Sequence, residues 1–307
     1  MSSILSINKV TKFYGPVRAL NDISFEVPKG SVFGILGPNG SGKTTLLGIV
    51  MDILKVSSGN YLWNGESGNE RLRQQIGTLL ETPNFYPYLS GENNLKIAAA
   101  IKQRGKEDIP RVLQTVNLLE RKKSKFSTYS LGMKQRLAIA STLLGDPGIL
   151  VFDEPTNGLD PAGIAEIREL IKDLNRQGKT IIMASHILDE VEKVCTHVAI
   201  IQKGILKTTG TVSEVLSGGV ATSDIGILIE VGADDLVVLQ SVLKEMKGIL
   251  HIMSNGASLQ VQCSESVTTR QINQYCFEKG ITLNQLILKR KNLETRFLEI
   301  TGNQSDR

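Results

Sequence analysis

The chain has 307 residues, 41% hydrophobic and 21% charged, with a formal net charge of +4. That composition excludes disordered and fibrous architectures and allows a sizeable core without disulfides. No run approaches the roughly 18 consecutive apolar residues of a membrane-spanning helix, and the small positive balance, +5 up to residue 220 and −1 beyond it, does not suggest a nucleic-acid binder.

Residues 1–10 already alternate in polarity like a strand, which is not a signal peptide's layout, so the chain is expected in the cytoplasm. Residues 4–10 and 22–27 read as half-buried strands. Residues 31–36, S-V-F-G-I-L, form a short apolar run that suits a buried parallel strand. Residues 37–44 follow at once and read G-P-N-G-S-G-K-T. This is the full phosphate-loop pattern in the context it requires, after a strand and before a helix. Gly37, Gly40 and Gly42 allow the backbone to approach a phosphate closely. The loop N–H groups and the helix N-terminus near Lys43 then form an anion nest. Lys43 is the expected partner of the β and γ phosphates, and the Thr44 hydroxyl of Mg²⁺.

Residues 82–95 carry Phe85, Tyr86 and Tyr88, the densest aromatic cluster in a chain that is only 5% aromatic. Pro83 and Pro87 deny this stretch regular structure. Arg121-Lys122-Lys123 with Lys125 is the strongest basic run, and it reads as a solvated face because no aromatics are interleaved with it. Residues 149–155, I-L-V-F-D-E-P, form an apolar strand that delivers two carboxylates at its end. A phosphate loop requires such a strand: Asp153 is expected to hold the Mg²⁺ water shell, and Glu154 to polarise the attacking water. Asp160 and Pro161 mark a helix start, and Ile164, Ile167, Leu170, Ile171 and Leu174 give the helix over 161–177 one apolar face. Residues 180–184 and 197–201 are further buried strands. The alternation of strands and helices predicts an α/β core on a mostly parallel sheet.

Residues 216–223 are small and polar with two glycines, and read as a linker. The pattern then restarts as strand 225–231, helix 234–247, strands 249–253 and 257–263 with a turn at Asn255-Gly256, helix 267–278 and strand 282–289. That order, β-α-β-β-α-β, is a split βαβ or ferredoxin-like arrangement. The expected domains are therefore 1–220 and 224–302. Cys195, Cys263 and Cys276 are widely spaced and odd in number, which fits reduced thiols and no metal cluster.

With the phosphate loop, the acidic strand and residues 129–133, Y-S-L-G-M, the chain resembles the ATP-binding subunits of ABC transporters over residues 3–220. That resemblance implies a P-loop core with an added antiparallel β part and a helical subdomain. It also implies a family signature at Ser130 and Gly132, with Leu131 replacing a glycine and Met133 a glutamine. In the family this signature closes over the γ-phosphate held by a second copy. By the same resemblance Tyr14 stacks on adenine, Asp160 communicates across the dimer, and His186 is the switch histidine that contacts the γ-phosphate. Pro38, Asn39, Ser41 and Thr45 complete the nucleotide-binding set around the loop.

Glu81 stands where the family usually has a glutamine that contacts Mg²⁺ and the attacking water. With the following T-P-N-F-Y-P-Y it is similar to the bacitracin and lantibiotic exporters. The resemblance implies ATP and Mg²⁺ as ligands, a homodimer, and a permease on a separate chain that holds the subunit at the inner face of the membrane. It also implies no nucleic-acid partner. The loop at Phe85–Tyr88 is then a permease contact, the alternative being that its aromatics pack the helical subdomain. A soluble ATPase acting on ribosomes or DNA, and a non-hydrolysing regulatory module, are the other readings.

Overall fold

A computed structural model describes residues 2–80, 84–217, 227–264, 267–289 and 293–302, and the chain divides into two compact units, residues 1–212 with 300–307, and residues 213–299. The first unit opens with β1 (Ser3–Tyr14) and β2 (Val17–Pro28), then β3 (Val32–Leu36), α1 (Lys43–Val50) and β4 (Ser58–Trp63). β1 lies between β2 and β4 in an antiparallel three-stranded sheet. Alternation places Leu5 and Ile7 inward, a register shift after Ile7 brings Val10 to the same side, and all three join Leu46, Leu47 and Trp63 in one core. Trp63 is buried and still satisfies its indole N–H, which donates to the Val50 carbonyl at 2.9 Å.

α2 (Glu70–Gln74) and β5 (Ile76–Leu79) lead towards a group of helices: α3 (Gly91–Lys102), α4 (Ile109–Thr115) and α5 (Leu131–Thr142). The chain then returns through β6 (Ile149–Asp153), α6 (Pro161–Arg176), β7 (Thr180–Ser185), α7 (Leu188–Val194), β8 (His197–Gln202) and β9 (Ile205–Thr211). The second sheet has the order β5-β6-β7-β3-β8-β9. Its first four pairings are parallel and only β8–β9 is antiparallel. Every residue of β3, β6 and β7 is buried, as expected for parallel strands covered on both faces. α6 buries Ile167, Leu170, Ile171 and Leu174, whereas Ile164 is only half-buried. Among the described residues no helix is long and apolar enough to cross a membrane.

α8 (Val212–Ser217) includes the first two residues of the expected linker. Leu216 and Ser217 are therefore helical; Val215, one turn from Val212, is buried and shows why this end is not free chain. Residues 218–223 of that linker lie outside the described residues. The second unit continues with β10 (Ile227–Ala233), α9 (Leu236–Glu245), β11 (Ile249–Asn255), β12 (Ser258–Cys263), α10 (Thr269–Glu278), β13 (Leu283–Lys289) and α11 (Leu293–Thr301). Its sheet order is β11-β12-β10-β13, with all three pairings antiparallel. Ile229, Val231, Leu239, Leu243, Val261, Ile272 and Cys276 form its core. α10 starts at Thr269 because Thr268 closes a capping box with Gln271. β11 runs on to Asn255, so the hairpin turns one residue later than the sequence suggests. The three cysteines are free and buried, and burial raises the thiol of Cys263 to about 11.

Candidate functional site

The parallel sheet sets the site. In its register Leu36 lies beside Ser185, and Asp153 beside Ala184. The ends of β3, β6 and β7 therefore deliver the phosphate loop, the acidic pair and His186 to one edge. Gly37 opens the loop where only a glycine fits, because a Cβ there would lie 2.2 Å from the Ile201 carbonyl oxygen and 2.5 Å from Ser41 Oγ. Gly42 has φ +106°, and a Cβ on it would stand 2.8 Å from the Ala19 carbonyl oxygen. Two further bonds fix the loop from outside. Gly204 N–H donates to the Ser41 carbonyl at 3.0 Å, and Asn21 N–H donates to the Gly204 carbonyl at 2.8 Å. Ser41 is buried, and its hydroxyl has no hydrogen-bond partner among the described residues.

The charged groups are cross-bridged. The ammonium of Lys43, 5% exposed, donates to the Gly37 carbonyl at 2.8 Å and the Pro38 carbonyl at 3.2 Å, and lies 3.6 Å from Glu154 Oε1. The Thr44 hydroxyl donates to Asp153 Oδ2 at 2.7 Å. His186 Nδ1 lies 2.9 Å from Glu154 Oε2. A carboxylate can only accept, so Nδ1 carries the proton. Glu154 adopts φ +48°, the left-handed region that a non-glycine residue enters at a cost of about 1–2 kcal/mol. Its N–H donates to the Ala184 carbonyl at 3.0 Å and its carbonyl accepts from Asn157 N–H at 3.1 Å, and these bonds hold the turn. The structure thus brings Gly37, Lys43, Thr44, Asp153, Glu154 and His186 into one contact network.

Tyr14, Ser130 and Asp160 are each placed on elements of their own. Tyr14 ends β1 with its ring 45% exposed and the Lys12 ammonium 5.0 Å above it. The hairpin is nevertheless tied to the loop, since Ala19 and Leu20, just past its turn, abut Gly42. Ser130 caps α5, its hydroxyl oxygen accepting from Met133 N–H at 3.3 Å. Leu131 is 52% exposed, and nothing lies within 4 Å of where a Gly132 Cβ would be. Asp160 caps α6 by accepting from Gly163 N–H at 3.0 Å. Glu81 lies outside the described residues.

The aromatic cluster divides. Phe85 is half-buried and meets Phe126 edge-on, with ring centroids 5.2 Å apart. Tyr86 and Tyr88 are 47% and 67% exposed. Asn94, buried in α3, accepts from Tyr86 N–H at 2.8 Å and donates to its carbonyl at 3.1 Å. The same loop pairs along its backbone with residues 122–127: Ser127 N–H donates to the Pro87 carbonyl and Phe126 N–H to the Leu89 carbonyl. Lys125 bridges to Ser90 at the end of this loop, a proximity that spacing along the chain hides. Sequence reasoning also missed Ala19 and Gly204 as supports of the loop. Neither residue type carries a signal, because both act through backbone carbonyls and N–H groups.

A family model described as ABC transporter matches residues 20–157. The chain is 36% identical to the uncharacterized ABC transporter ATP-binding protein YhcH of Bacillus subtilis, over 98% of this chain and 97% of that protein. It is 31% identical to the bacitracin transport ATP-binding protein BcrA of Enterococcus faecalis, over 98% and 97%. To the lantibiotic transport ATP-binding protein SrtF of Streptococcus pyogenes it is 38% identical, over 66% and 88%. Among solved structures it is similar to cbiO1 from Clostridium perfringens, part of the ABC transporter complex cbiONQ, with a TM-score of 0.65 and 28% identity, covering 80% of this chain and 96% of that one. It is also similar to the dimeric post-hydrolysis state of the ATP-binding cassette MJ0796 bound to ADP and Pi, with a TM-score of 0.59 and 25% identity, covering 67% and 98%.

Proposed function

Because this chain belongs to the ATP-binding subunits of ABC transporters, we propose that two copies of it close over ATP and that their hydrolysis cycle drives a membrane permease on a separate chain. The observation that carries this reading is the network of Lys43, Thr44, Asp153, Glu154 and His186 at the end of the parallel sheet. Lys43 holds the β and γ phosphates, and the loop residues Gly37 to Thr45 wrap them with backbone N–H groups. A hydroxyl and a carboxylate in direct contact, Thr44 and Asp153, are the hard oxygen donors that Mg²⁺ prefers. When bound, Mg²⁺ neutralises charge on the transferred phosphoryl group. Glu154 orients the attacking water and takes its proton, with His186 fixing one carboxylate oxygen.

The exposed groups serve the second copy. Ser130 and the N-terminus of α5 face the γ-phosphate held by the partner, where the open space at Gly132 permits close approach. Tyr14 supports the adenine, Asp160 signals between the two sites, and Glu81 adds a further oxygen to the metal. Tyr86 and Tyr88, both exposed, meet the permease and hold the subunit at the inner face of the membrane. The named transport of bacitracin and lantibiotics by two relatives supports export of a peptide antibiotic or a similarly amphipathic drug. Residues 224–302 form an accessory domain of this subunit. Nothing among the described residues favours the soluble ATPase or the non-hydrolysing module. The test is co-purification with the membrane protein encoded beside this chain: ATP turnover that the permease stimulates supports the reading, and a chain that hydrolyses ATP but never binds a polytopic partner overturns it.

A further inference from the structure

His186 leaves a rigid strand and enters a short helix. On one side Ser185 is fully buried in β7, and its hydroxyl oxygen accepts from Ile187 N–H at 3.0 Å. On the other side α7 has seven residues and no side-chain cap. A helix of two turns does not hold itself in place, so tertiary contacts must set its position. One contact is apolar. Val191 Cγ1 packs onto β3 only 2.6 Å from where a Cβ on Gly34 would stand. The other is charged. Glu190, 5% exposed, meets Arg168 of α6 with both carboxylate oxygens: Arg168 Nη2 donates to Oε1 at 2.7 Å, and Nε lies 3.4 Å from Oε2. The same helix carries an exposed pair, Lys172–Glu169 at 3.0 Å, of the kind that contributes little. A buried carboxylate is costly even when paired, and its paired geometry is directional.

These contacts close a ring. From Glu154 the chain runs through residues 155–160 into α6, which Asp160 caps. Arg168 joins α6 to Glu190 on α7, and α7 begins two residues after His186. His186 returns to Glu154 through the 2.9 Å contact. We propose that Arg168 and Glu190 are positioning residues for ATP hydrolysis: their pairing fixes α7, and through it the imidazole of His186, against the Glu154 carboxylate. This rests on the proposed roles of Glu154 and His186. Neither Arg168 nor Glu190 touches nucleotide; they act by restricting where His186 sits.

The test uses the full chain with Glu190→Gln, Arg168→Lys, His186→Ala and the exposed control Glu169→Gln. Glu190→Gln keeps shape and loses the charged pairing. It should lower kcat about tenfold or more, because small misplacements of a reacting group are expensive, while KM for ATP stays within about twofold. Arg168→Lys, which keeps the charge and one hydrogen bond, should fall between wild type and Glu190→Gln, and Glu169→Gln should match wild type. In a His186→Ala background Glu190→Gln should have no further effect on kcat. A Glu190→Gln chain that melts earlier but keeps wild-type kcat below its melting temperature overturns the proposal. So does a slow His186→Ala chain on which Glu190→Gln acts independently. A His186→Ala chain with wild-type kcat overturns the reading of the site as well. Should Glu190→Gln fail to fold, Arg168→Lys in the two backgrounds decides by the same rule.

Discussion

Lys43 is 5% exposed and its ammonium contacts three groups of its own chain, whereas Leu131, beside Ser130, is 52% exposed and the space next to Gly132 is open. The charged groups of the loop half thus meet one another, with lysine on carbonyls and carboxylate, hydroxyl on carboxylate, and imidazole on carboxylate, while the Ser41 hydroxyl has no hydrogen-bond partner among the described residues. The signature half is capped as a helix and otherwise presented outward. The difference teaches where each half gets its geometry. Strand ends in one sheet fix the loop half within a chain. The signature half offers the N-terminus of α5, capped by Ser130, on an exposed face.

The largest expected effect falls on the loop half. Glu154→Gln should lower turnover about a hundredfold or more while ATP and Mg²⁺ binding persist, and it should trap an ATP-bound dimer. Equilibrium binding beside steady-state turnover checks this, and a collapse of nucleotide affinity would move Glu154 from water activation to metal binding. The next experiment breaks the two halves apart. Lys43→Ala and Ser130→Arg subunits should each be inactive alone. Mixed, they form dimers with one site intact in both halves and one site broken in both, so partial turnover should return. A mixture shown to contain mixed dimers yet still inactive would mean that the halves do not serve different nucleotides.

A smaller effect is expected at Glu81. A charged oxygen binds Mg²⁺ more tightly than an amide oxygen. Glu81→Gln should therefore raise the Mg²⁺ concentration for half-maximal turnover and leave metal-free ATP binding similar or slightly tighter. Titrations of wild type, Glu81→Gln and Glu81→Ala that superimpose would remove Glu81 from the metal site.

The smallest effect concerns how the signature helix is braced. Lys102, at the end of α3, donates to the Ser141 carbonyl of α5 at 2.6 Å, and burial lowers its pKa from 10.5 to about 8, with Arg104 adding to the shift. Between pH 8 and 10.5 the unfolded chain binds this proton and the folded chain does not, so this group makes stability rise with pH across that window. Lys102→Met should abolish that rise. The wild-type-minus-variant difference in unfolding free energy should grow by on the order of 2–3 kcal/mol from pH 8 to 10.5. Urea titrations at several pH values measure it, and a flat difference would place the ammonium in water.

Much of the loop half was legible in the sequence because its parts are local. A strand, a glycine loop and a helix follow one another at residues 31–50, and apolar residues 149–152 can only lead Asp153 and Glu154 out of a core. The split order of residues 227–289 was also readable, since strand-like and helical patterns alternate there. Pairwise placement was less legible. The aromatic stretch gave no hint that its backbone pairs with the chain just after the basic run, because the bonds from residues 126–127 to 87–89 join segments some forty positions apart. The opposite orientations of Phe85 and Tyr86 were equally hidden, set by Phe126 and Asn94.

By itself the sequence determined that a glycine loop with Lys43 and Thr44, and the carboxylates Asp153 and Glu154, follow buried strands, because residue type and hydrophobic period are local properties of the chain. Only the tertiary structure decided how those groups meet. The 3.6 Å approach of Lys43 to Glu154, the 2.9 Å contact of His186 with the same carboxylate and the Arg168–Glu190 pair behind it all join segments far apart in sequence. Parallel strand register sets the first two and helix packing the third, and neither is written in any single segment.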